Sequence, residues 1–413
     1  MSRATQTFVI VGASLAGAKA AETLRAEGFD GRVVLIGDEA RRPYERPPLS
    51  KDYLRGEKDF DATAVHPAGF YDEHDIDLRT STTVTAVGPL HERSVTLASG
   101  EQIAWNRLLL ATGAAPRRLS VPGADLPGVL YLRRVDDADT LRQAIGPTAQ
   151  VVVVGAGWIG AEVAASARQL GAAVAMVELA AVPLERVLGP EVGAIYRDLH
   201  ASHGVDLHFG VGVEAIVGSN AVEAVRLSDG TVLDATAVVV GVGVAPRVEL
   251  AEAAGLAVDN GIVVDEHLQA TVPGIFAAGD VANAFHPRYG TRIRLEHWSA
   301  ALNQGPAAAR AMLGQGVVYD RTPYFFSDQY DLGMEYRGWA PGFDQVVFRG
   351  DPTSGAFLCF WLRHGKVTAA MNANVWDAGD AIEALLRADR PVDRARLADP
   401  EIDLTGLAGP PDA

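Results

Sequence analysis

Two glycine-rich turns in the sequence could each bind the pyrophosphate of a dinucleotide. The first reads GASLAG over residues 12–17 and the second reads GAGWIG over residues 155–160. In such a turn the first glycine allows a tight bend, the middle one lets the backbone approach the phosphates, and the last allows the following helix to pack closely on the strand. The middle place is Ser14 in the first turn and Gly157 in the second. The second turn therefore has the full pattern, and the first has a slightly weaker one.

The segments around both turns predict the elements that would position them. Apolar runs, FVIV and VVVV, precede the turns, and helix-forming segments follow them. The next apolar runs, RVVLIG and AVAMVE, end at carboxylates that can accept hydrogen bonds from a ribose, namely Asp38 or Glu39 in the first case and Glu178 in the second. Continuous apolar runs are typical of buried parallel strands. We therefore predict an α/β chain with two Rossmann-like domains and two bound dinucleotides.

The residues after Glu178 indicate which nucleotide binds at the second turn. Leu179, Ala180 and Ala181 follow it, so no arginine directly after Glu178 could bind the 2′-phosphate of NADPH. The carboxylate of Glu178 would also repel that phosphate. NADH is therefore expected rather than NADPH. The first turn is left for another dinucleotide, and FAD is the natural candidate because a flavin can take a hydride from NADH.

Composition excludes several classes of function. Acidic residues outnumber basic ones 52 to 36 in the 413 residues, and the formal charge of −16 disfavours nucleic acid as a partner. No apolar run approaches the roughly 20 residues that cross a bilayer, so we expect no membrane insertion. The single cysteine, Cys359, excludes an intrachain disulfide and a paired-cysteine redox centre and indicates a cytoplasmic location. The ten histidines show no metal-ligand spacing, so no metal is expected.

Prolines and changes of pattern predict the domain boundaries. We expect a discontinuous FAD-binding domain over residues 1–116 and 246–322, with a NAD-binding domain over residues 117–245 inserted into it. From residue 323 onward the strand-like pieces QVVFRG, GAFLCFWLRHGKV and TAAMNANVW precede a helical segment, AGDAIEALLRAD. Residues 323–413 are therefore predicted to form a third, α+β domain whose aromatic residues lie in its core.

Seven segments in order along the whole chain resemble the FAD-dependent NADH:ferredoxin reductases of bacterial oxygenase systems, the putidaredoxin reductase and biphenyl dioxygenase reductase family. They are VIVGASLAG, PYERPPLSK, LLLATG, VVVVGAGWIGAE, TVPGIFAAGD, RLEHWSAALNQG and PYFFSDQYD. The resemblance implies a glutathione-reductase-like pair of Rossmann domains with a C-terminal α+β domain. It also implies an enzyme that takes a hydride from NADH onto FAD and passes electrons singly to a [2Fe-2S] ferredoxin serving a monooxygenase or dioxygenase.

The resemblance also implies roles for individual residues. Arg46 would bind the FAD pyrophosphate, Asp280 the ribityl chain, and Trp298 would lie beside the isoalloxazine, whereas His297 is expected to pack there rather than act as a base. With the two turns and their carboxylates, the predicted cofactor-binding residues are Gly12, Ser14, Leu15, Ala16, Gly17, Asp38, Glu39, Arg46, Lys51, Val84, Ala111, Thr112, Gly113, Arg133, Gly155, Gly157, Ile159, Gly160, Glu178, Arg186, Gly243, Gly279, Asp280, Glu296, His297 and Trp298.

The segment PYERPPLSK contains three prolines and ends at Lys51. By the resemblance, this lysine lies beside the reactive nitrogen of the flavin and pairs with Glu162, so that these two are the predicted catalytic residues. Prolines restrict the backbone, and hydride transfer depends strongly on orientation, so a stiff loop suits this role. One departure from the family is Phe326, which stands where a tryptophan is common.

Three other functions remain open at this stage. A rubredoxin reductase or a monodehydroascorbate reductase would share the reaction with NADH and differ in the acceptor. A non-enzymatic FAD protein that responds to NADH is the third. Disulfide and CoA-disulfide reductases are excluded because Cys359 lies far from the proline-rich loop. A monomer or weak homodimer is expected.

Overall fold

The computed structural model describes residues 6–88 and 91–409. The strands in these ranges are β1 Thr7–Val11, β2 Arg32–Ile36, β3 Ile76–Arg79, β4 Val84–Val87, β5 Ser94–Leu97, β6 Gln102–Ala104, β7 Arg107–Leu110, β8 Ala114–Pro116, β9 Val129–Tyr131, β10 Gln150–Val154, β11 Ala173–Glu178, β12 Asp206–Phe209, β13 Val213–Val217, β14 Ala224–Leu227, β15 Val232–Asp234, β16 Ala237–Val240, β17 Val244–Pro246, β18 Ile262–Val264, β19 Ile275–Ala277, β20 Ala282–His286, β21 Thr291–Ile293, β22 Tyr324–Gln329, β23 Leu332–Gly338, β24 Gln345–Arg349, β25 Phe357–Arg363 and β26 Lys366–Ala373. The helices are α1 Leu15–Ala26, α2 Asp52–Arg55, α3 Phe70–Glu73, α4 Val135–Ala144, α5 Trp158–Gln169, α6 Glu185–Ser202, α7 Glu249–Ala253, α8 Trp298–Met312, α9 Gly379–Ala388, α10 Arg394–Ala398 and α11 Leu404–Ala408.

The chain divides into two compact units, and neither is a continuous stretch of sequence. The first consists of the described residues of Met1–Pro47, Asp59–Ala115 and Val244–Arg321. The second consists of those of Pro48–Lys58, Pro116–Gly243 and Thr322–Ala413.

The first unit is built on a five-stranded parallel sheet in the order β19-β7-β1-β2-β3. Its central strand is almost wholly buried, as its continuous apolar sequence requires. Helix α1 packs beside α8 at very short range, because a Cβ atom on Gly305 would lie 2.3 Å from the carbonyl oxygen of Ala16. Gly305 thus allows α8 to pack closely against α1, the helix that follows the first glycine turn.

The second unit repeats this plan with a parallel sheet in the order β12-β11-β10-β16-β9. Strand β10 lies in the middle, and the second glycine turn connects it to α5. Both strand–turn–helix–strand predictions are therefore confirmed, since β1-α1-β2 and β10-α5-β11 lie where the apolar runs predicted them.

The C-terminal residues of the second unit form an antiparallel sheet in the order β22-β23-β26-β25-β24, with α9 to α11 after it. The sequence piece GAFLCFWLRHGKV is not one strand but a hairpin, because His364 and Gly365 adopt positive φ angles of 52° and 75° between β25 and β26. The predicted core position of the aromatic residues is confirmed: Phe357, Phe360 and Trp361 are at most 2% exposed.

These sheets and helices confirm the α/β prediction with an additional α+β region. Among the helices of residues 6–88 and 91–409, none is both long and apolar enough to cross a membrane.

Candidate dinucleotide sites and the buried lysine–glutamate pair

The first glycine turn closes tightly onto the strand beside it. Gly12 has a φ of +120°, and a Cβ atom there would lie 2.0 Å from the carbonyl oxygen of Ala111. A Cβ on Gly17 would lie 2.0 Å from the carbonyl oxygen of Gly12. Ser14 has extended backbone angles and stands at the cap position of α1, directly before the buried Leu15 and Ala16. Only glycine fits the first and last positions, so the turn presents the start of α1 closely to any anion bound there.

The two carboxylates after β2 have different partners within the first unit. Glu39 accepts a hydrogen bond at 2.8 Å from Arg46 and another from the hydroxyl of Tyr44. Asp38 forms an ion pair at 3.3 Å with Arg247. The structure thus pairs two predicted FAD-binding residues, Glu39 and Arg46, with each other. This arrangement fixes the guanidinium and carboxylate near the end of β2.

The ATG segment and the AAGD segment also lie in the first unit. The hydroxyl of Thr112 donates to the carbonyl of Arg247 at 2.8 Å, and Gly113 has a φ of 68°. The backbone N–H of Gly279, with a φ of 78°, donates to the side chain of Gln304 at 2.8 Å. Gln304 is 2% exposed and was not predicted from the sequence, although it belongs to the segment RLEHWSAALNQG.

The other predicted residues of the first unit lie around the start of α8 and in β4. The carbonyl of Asp280 accepts from Arg294, whose guanidinium also forms an ion pair with Glu296 at 2.6 Å. His297 occupies the position directly before α8, and Trp298 begins the helix. Burial lowers the pKa of His297 to about 4, and the charge of Asp280 acts in the opposite direction. A neutral imidazole at physiological pH agrees with a packing role. Val84, 8% exposed, lies in β4.

The second glycine turn has the same close contacts with one informative difference. A Cβ atom on Gly155, whose φ is +97°, would lie 2.6 Å from the carbonyl oxygen of Gly241, and a Cβ on Gly160 would lie 1.9 Å from that of Gly155. A Cβ on Gly157, at the cap of α5, would meet nothing within 4 Å. The middle glycine therefore faces open space at the start of a 12-residue helix, as a pyrophosphate site requires.

Glu178 lies at the end of β11 and faces back toward the second turn. Its Oε2 accepts from the backbone N–H of Ala156 at 2.8 Å, and its Oε1 accepts from that of Ala180 at 3.1 Å. The carboxylate is thereby held next to the turn, in the position from which a ribose is recognised in dinucleotide-binding folds.

The remaining predicted residues of the second unit are more dispersed. Ile159 is 45% exposed in the first turn of α5, and Arg186 is exposed in the first turn of α6. Gly243, with a φ of 96°, accepts from the backbone of Arg117 at 2.9 Å. The backbone N–H of Arg133 donates to the side chain of Asp137 at 2.9 Å, next to the start of α4.

Lys51 and Glu162 form a buried ion pair within the second unit. The Nζ of Lys51 lies 3.0 Å from Oε2 of Glu162, and the two side chains are 8% and 5% exposed. A 3₁₀ turn at Pro47–Ser50 precedes Lys51, and α2 begins directly after it, so its backbone is held on both sides. The predicted pairing of Lys51 with Glu162 is thus present.

Two serines that sequence reasoning missed also hold Glu162. The hydroxyl of Ser50 donates to Oε2, and the hydroxyl of Ser327 donates to Oε1 at 2.7 Å. Ser166, one helical turn beyond Glu162, donates to the carbonyl of Ser50 at 2.7 Å and fixes the loop to α5. The signal available in the sequence was the i, i+4 spacing of Glu162 and Ser166, which places both on one helix face.

Two side chains of strand β22, Phe326 and Asp328, interact with the charge of Lys51. The Nζ of Lys51 lies 5.4 Å from the ring centroid of Phe326, the residue that departs from the family pattern. Burial raises the pKa of Asp328, while the charge of Lys51 opposes this rise. The lysine therefore contacts Glu162 and lies near the ring of Phe326, and its charge also acts on Asp328.

The residues present fit two dinucleotides. Each turn offers backbone N–H groups at a helix start, with glycines where side chains would obstruct the backbone, and each is followed by a carboxylate at the end of the next strand. Within the described part of the chain, no group of three or more His, Cys, Asp or Glu side chains is arranged to hold a metal ion.

Comparison with known proteins decides the family. Residues 6–305 match the model of the pyridine nucleotide-disulphide oxidoreductases, and residues 324–408 match a reductase C-terminal domain. The chain is 40% identical to the ferredoxin reductase subunit of 5,5′-dehydrodivanillate O-demethylase from Sphingobium sp., over 97% of both chains. The chain belongs to the ferredoxin reductase branch of the pyridine nucleotide-disulphide oxidoreductases.

Solved structures of ferredoxin reductases match the fold over nearly the full length. The ferredoxin reductase for the CYP199A2 system of Rhodopseudomonas palustris is 39% identical, with a TM-score of 0.94 over 98% of this chain and 100% of that one. The reductase in the covalent putidaredoxin reductase–putidaredoxin complex is 36% identical, with a TM-score of 0.93 over 98% of both. The present chain is therefore an oxidoreductase that uses FAD and NAD(H). The family and the fold predicted from its sequence are confirmed.

Proposed function

We propose that this protein takes a hydride from NADH onto FAD and passes the electrons one at a time to a ferredoxin that serves an oxygenase. The observation that carries the proposal is the similarity, at 35–40% identity along almost the whole chain, to proteins named as ferredoxin reductases of such systems. FAD supplies the step between a two-electron donor and a one-electron acceptor. One NADH then reduces two ferredoxins and releases NAD⁺ and one proton.

In this proposal the two glycine turns bind different nucleotides. Residues 1–116 and 246–322 form the FAD-binding domain, residues 117–245 the NAD-binding domain, and residues 323–413 the C-terminal domain. Glu178 accepts hydrogen bonds from the ribose of NADH, and its negative charge disfavours the 2′-phosphate of NADPH.

Lys51 and Glu162 are the proposed catalytic pair. A cation held at a fixed place favours negative charge that develops on a reduced flavin, and the carboxylate holds the ammonium in one orientation. Their 3.0 Å contact and low exposure support this role, because a buried and hydrogen-bonded pair has little freedom to move.

Properties of the partner and the protein itself complete the proposal. We propose a [2Fe-2S] ferredoxin, because the reaction needs a one-electron acceptor. We also propose that the protein is a monomer or weak homodimer. We further propose a location in the cytoplasm, because the one cysteine is buried and a reducing compartment suits such a chain.

The experiment that tests the function uses the purified protein with its bound chromophore. The visible spectrum identifies the flavin, anaerobic NADH should bleach it, and NADPH should act far more slowly. Turnover with NADH is then measured with different electron acceptors, namely a panel of [2Fe-2S] ferredoxins, a rubredoxin and monodehydroascorbate. Faster turnover with rubredoxin or monodehydroascorbate would overturn the ferredoxin proposal. A flavin that NADH reduces but no acceptor reoxidises would favour the non-enzymatic alternative.

A further inference from the structure

A row of polar side chains continues from Glu162 through the interior of the second unit. The hydroxyl of Ser327 lies 2.7 Å from Oε1 of Glu162, and Nε2 of Gln329 lies 3.3 Å from that hydroxyl. Nε2 of His200 lies 2.9 Å from Oε1 of Gln329, and the hydroxyl of Tyr330 lies 3.2 Å from Nδ1 of His200. Together, Ser327, Gln329, His200 and Tyr330 form this relay.

The relay is buried except at its far end. Ser327 is 1% exposed, while Gln329 and His200 are fully buried. Tyr330 is half-buried and stacks at 3.6 Å on the exposed ring of His203. Three adjoining polar side chains in a core are costly unless each finds its partner, so their hydrogen bonds to one another are needed.

The carboxylate of Glu162 fixes the direction of every hydrogen bond in the relay. A carboxylate only accepts, so Ser327 must donate its one proton to it. The oxygen of Ser327 then accepts, and in Gln329 only the NH₂ group can donate. The amide oxygen of Gln329 is left facing His200, whose Nε2 must carry a proton. All these donors therefore point toward Glu162.

The far end of the relay obeys the same logic. With the proton of a neutral His200 on Nε2, Nδ1 accepts and the hydroxyl of Tyr330 donates. Burial lowers the pKa of His200 to about 4, with Gln329 raising it and His203 lowering it further, so the ring is neutral at physiological pH. Burial, followed by the charges of Glu162 and Asp328, raises the pKa of the adjacent Tyr196, which stays neutral as well.

The amide of Gln329 also distinguishes this arrangement from a proton-conducting path. A proton could cross it only if the NH₂ group and the oxygen exchanged roles, which reverses the hydrogen bonds on both sides. The relay therefore suits a fixed alignment of dipoles rather than transport.

We propose that Ser327, Gln329 and His200 are positioning residues that align donors toward Glu162 and thereby hold Lys51 in its orientation for hydride transfer. This inference rests on the proposed function of Lys51 and Glu162. It extends the catalytic arrangement from a pair on the proline-rich loop and α5 to buried residues of α6 and β22. A hydrogen bond to a charged group is stronger than one between neutral groups. Breaking the relay at Ser327 should therefore change the orientation of Glu162 and, through it, that of Lys51.

The test measures flavin reduction by NADH in the FAD-loaded protein by anaerobic stopped flow. Ser327→Ala removes one hydroxyl with little change of volume, and Gln329→Leu removes the amide. Both should lower the limiting rate constant about tenfold and leave the dissociation constant of NADH unchanged. His200→Gln keeps a donor near the position of Nε2 and should stay close to wild type, whereas His200→Leu should resemble Gln329→Leu.

A double-mutant cycle identifies the route of the effect. In a Glu162→Gln background the direction of the relay is no longer fixed, so Ser327→Ala should add little to the loss. Asn372→Leu is the matched control, because it removes a buried amide of the same sheet whose partners are Glu335, Arg337 and Val375. Its rate constant should stay at the wild-type value even if its melting temperature falls.

Three results would overturn the proposal. One is a wild-type rate constant in Ser327→Ala while Lys51→Met is slow. Another is full additivity of Ser327→Ala with Glu162→Gln. A third is an unchanged rate in Lys51→Met, which would remove the proposed role of Lys51 and, with it, that of the relay.

Discussion

At the scale of single residues, the position of Lys51 illustrates how a flexible side chain can be held in one place. Its amine contacts Glu162, its backbone N–H donates to Pro48 at 3.0 Å, and its carbonyl accepts from Arg55 at 2.9 Å. A lysine side chain loses considerable rotamer freedom when it is fixed, and without the carboxylate its buried charge would be uncompensated. The fixed geometry is what an orientation-dependent hydride transfer needs.

Substitution of this lysine tests its role directly. Lys51→Met should retain FAD but lower the rate constant of flavin reduction by NADH about a hundredfold, because the fixed positive charge is lost. Stopped-flow absorbance in the flavin band measures it. Lys58→Met is the matched control, since Lys58 lies in the same loop but is 46% exposed and pairs with Asp52. Equal rates in the two variants would contradict the prediction.

Some of the proposed site residues could be predicted from the sequence, and others could not. The glycines of both turns could be predicted from the sequence because their function depends on local backbone geometry. The pair of Lys51 and Glu162 required the family resemblance, since 111 positions separate them. Ser327 and Gln329 were missed. Their alternation on the inner face of a strand becomes meaningful only once the strand is known to lie against α5.

At the scale of elements, the start of α5 separates what folding requires from what binding requires. Gly160 must be glycine for the turn to close, because its Cβ would lie 1.9 Å from a carbonyl oxygen. Gly157 has no such constraint from the protein, as its φ is −76° and its Cβ would meet open space. Its small size is thus explained by the nucleotide that the turn is proposed to bind.

Gly157→Ala should therefore impair NADH binding more than stability. We expect KM for NADH to rise about tenfold, because the methyl group enters the space of the pyrophosphate. The free energy of unfolding should fall by about 1 kcal/mol or less, the effect of replacing a glycine cap. Steady-state kinetics and thermal unfolding measure the two quantities. Gly146→Ala, whose Cβ also meets nothing within 4 Å, should change neither. An unchanged KM would contradict the proposed position of the pyrophosphate.

After the break at Gly189, helix α6 presents a stripe of buried residues four apart, Val192, Tyr196 and His200. The last residue of this stripe, His200, is ionisable. Its pKa of about 4 lies below the ordinary value of 6.5 because burial disfavours the charged ring. A depressed folded-state pKa means that the unfolded chain binds the proton more tightly. The stability associated with neutral His200 is thus complete above about pH 6.5 and is lost as the pH falls toward 4.

His200→Gln should flatten the acid side of the stability curve. The wild type should lose on the order of 3 kcal/mol more than the variant between pH 6.5 and pH 4, a value that follows from the difference in pKa. Chemical denaturation at several pH values measures this difference. His364→Gln, at a side chain that is 82% exposed, should follow the wild type. Parallel curves for wild type and His200→Gln would refute the expectation.

At the scale of the whole molecule, the chain has the fold of disulphide oxidoreductases without their sulfur chemistry. The one cysteine, Cys359, is buried in β25, and burial raises the pKa of its thiol well above the ordinary value. A thiol in such surroundings is a poor nucleophile. The electrons must therefore pass through the bound cofactors.

Cys359→Ala should consequently keep its catalytic activity. We expect kcat with NADH and ferricyanide to stay within about twofold of wild type, while the free energy of unfolding drops by about 1 kcal/mol because a small core group is lost. Steady-state kinetics and thermal unfolding would show this, and thiol reductants should change neither protein. A large loss of kcat in a folded, flavin-loaded variant would mean that the thiol takes part in the reaction.

The chain crosses between its two units at residues 47/48, 58/59, 115/116, 243/244 and 321/322. Because of this threading, no single backbone cleavage separates the two units from each other. The loop that carries Lys51 illustrates the consequence best, for it is an 11-residue excursion, Pro48–Lys58, between two segments of the other unit. An insertion or deletion at either end of this excursion would shift the lysine relative to Glu162 while both glycine turns stayed intact. Changes in loop length should therefore be tolerated least at those two junctions.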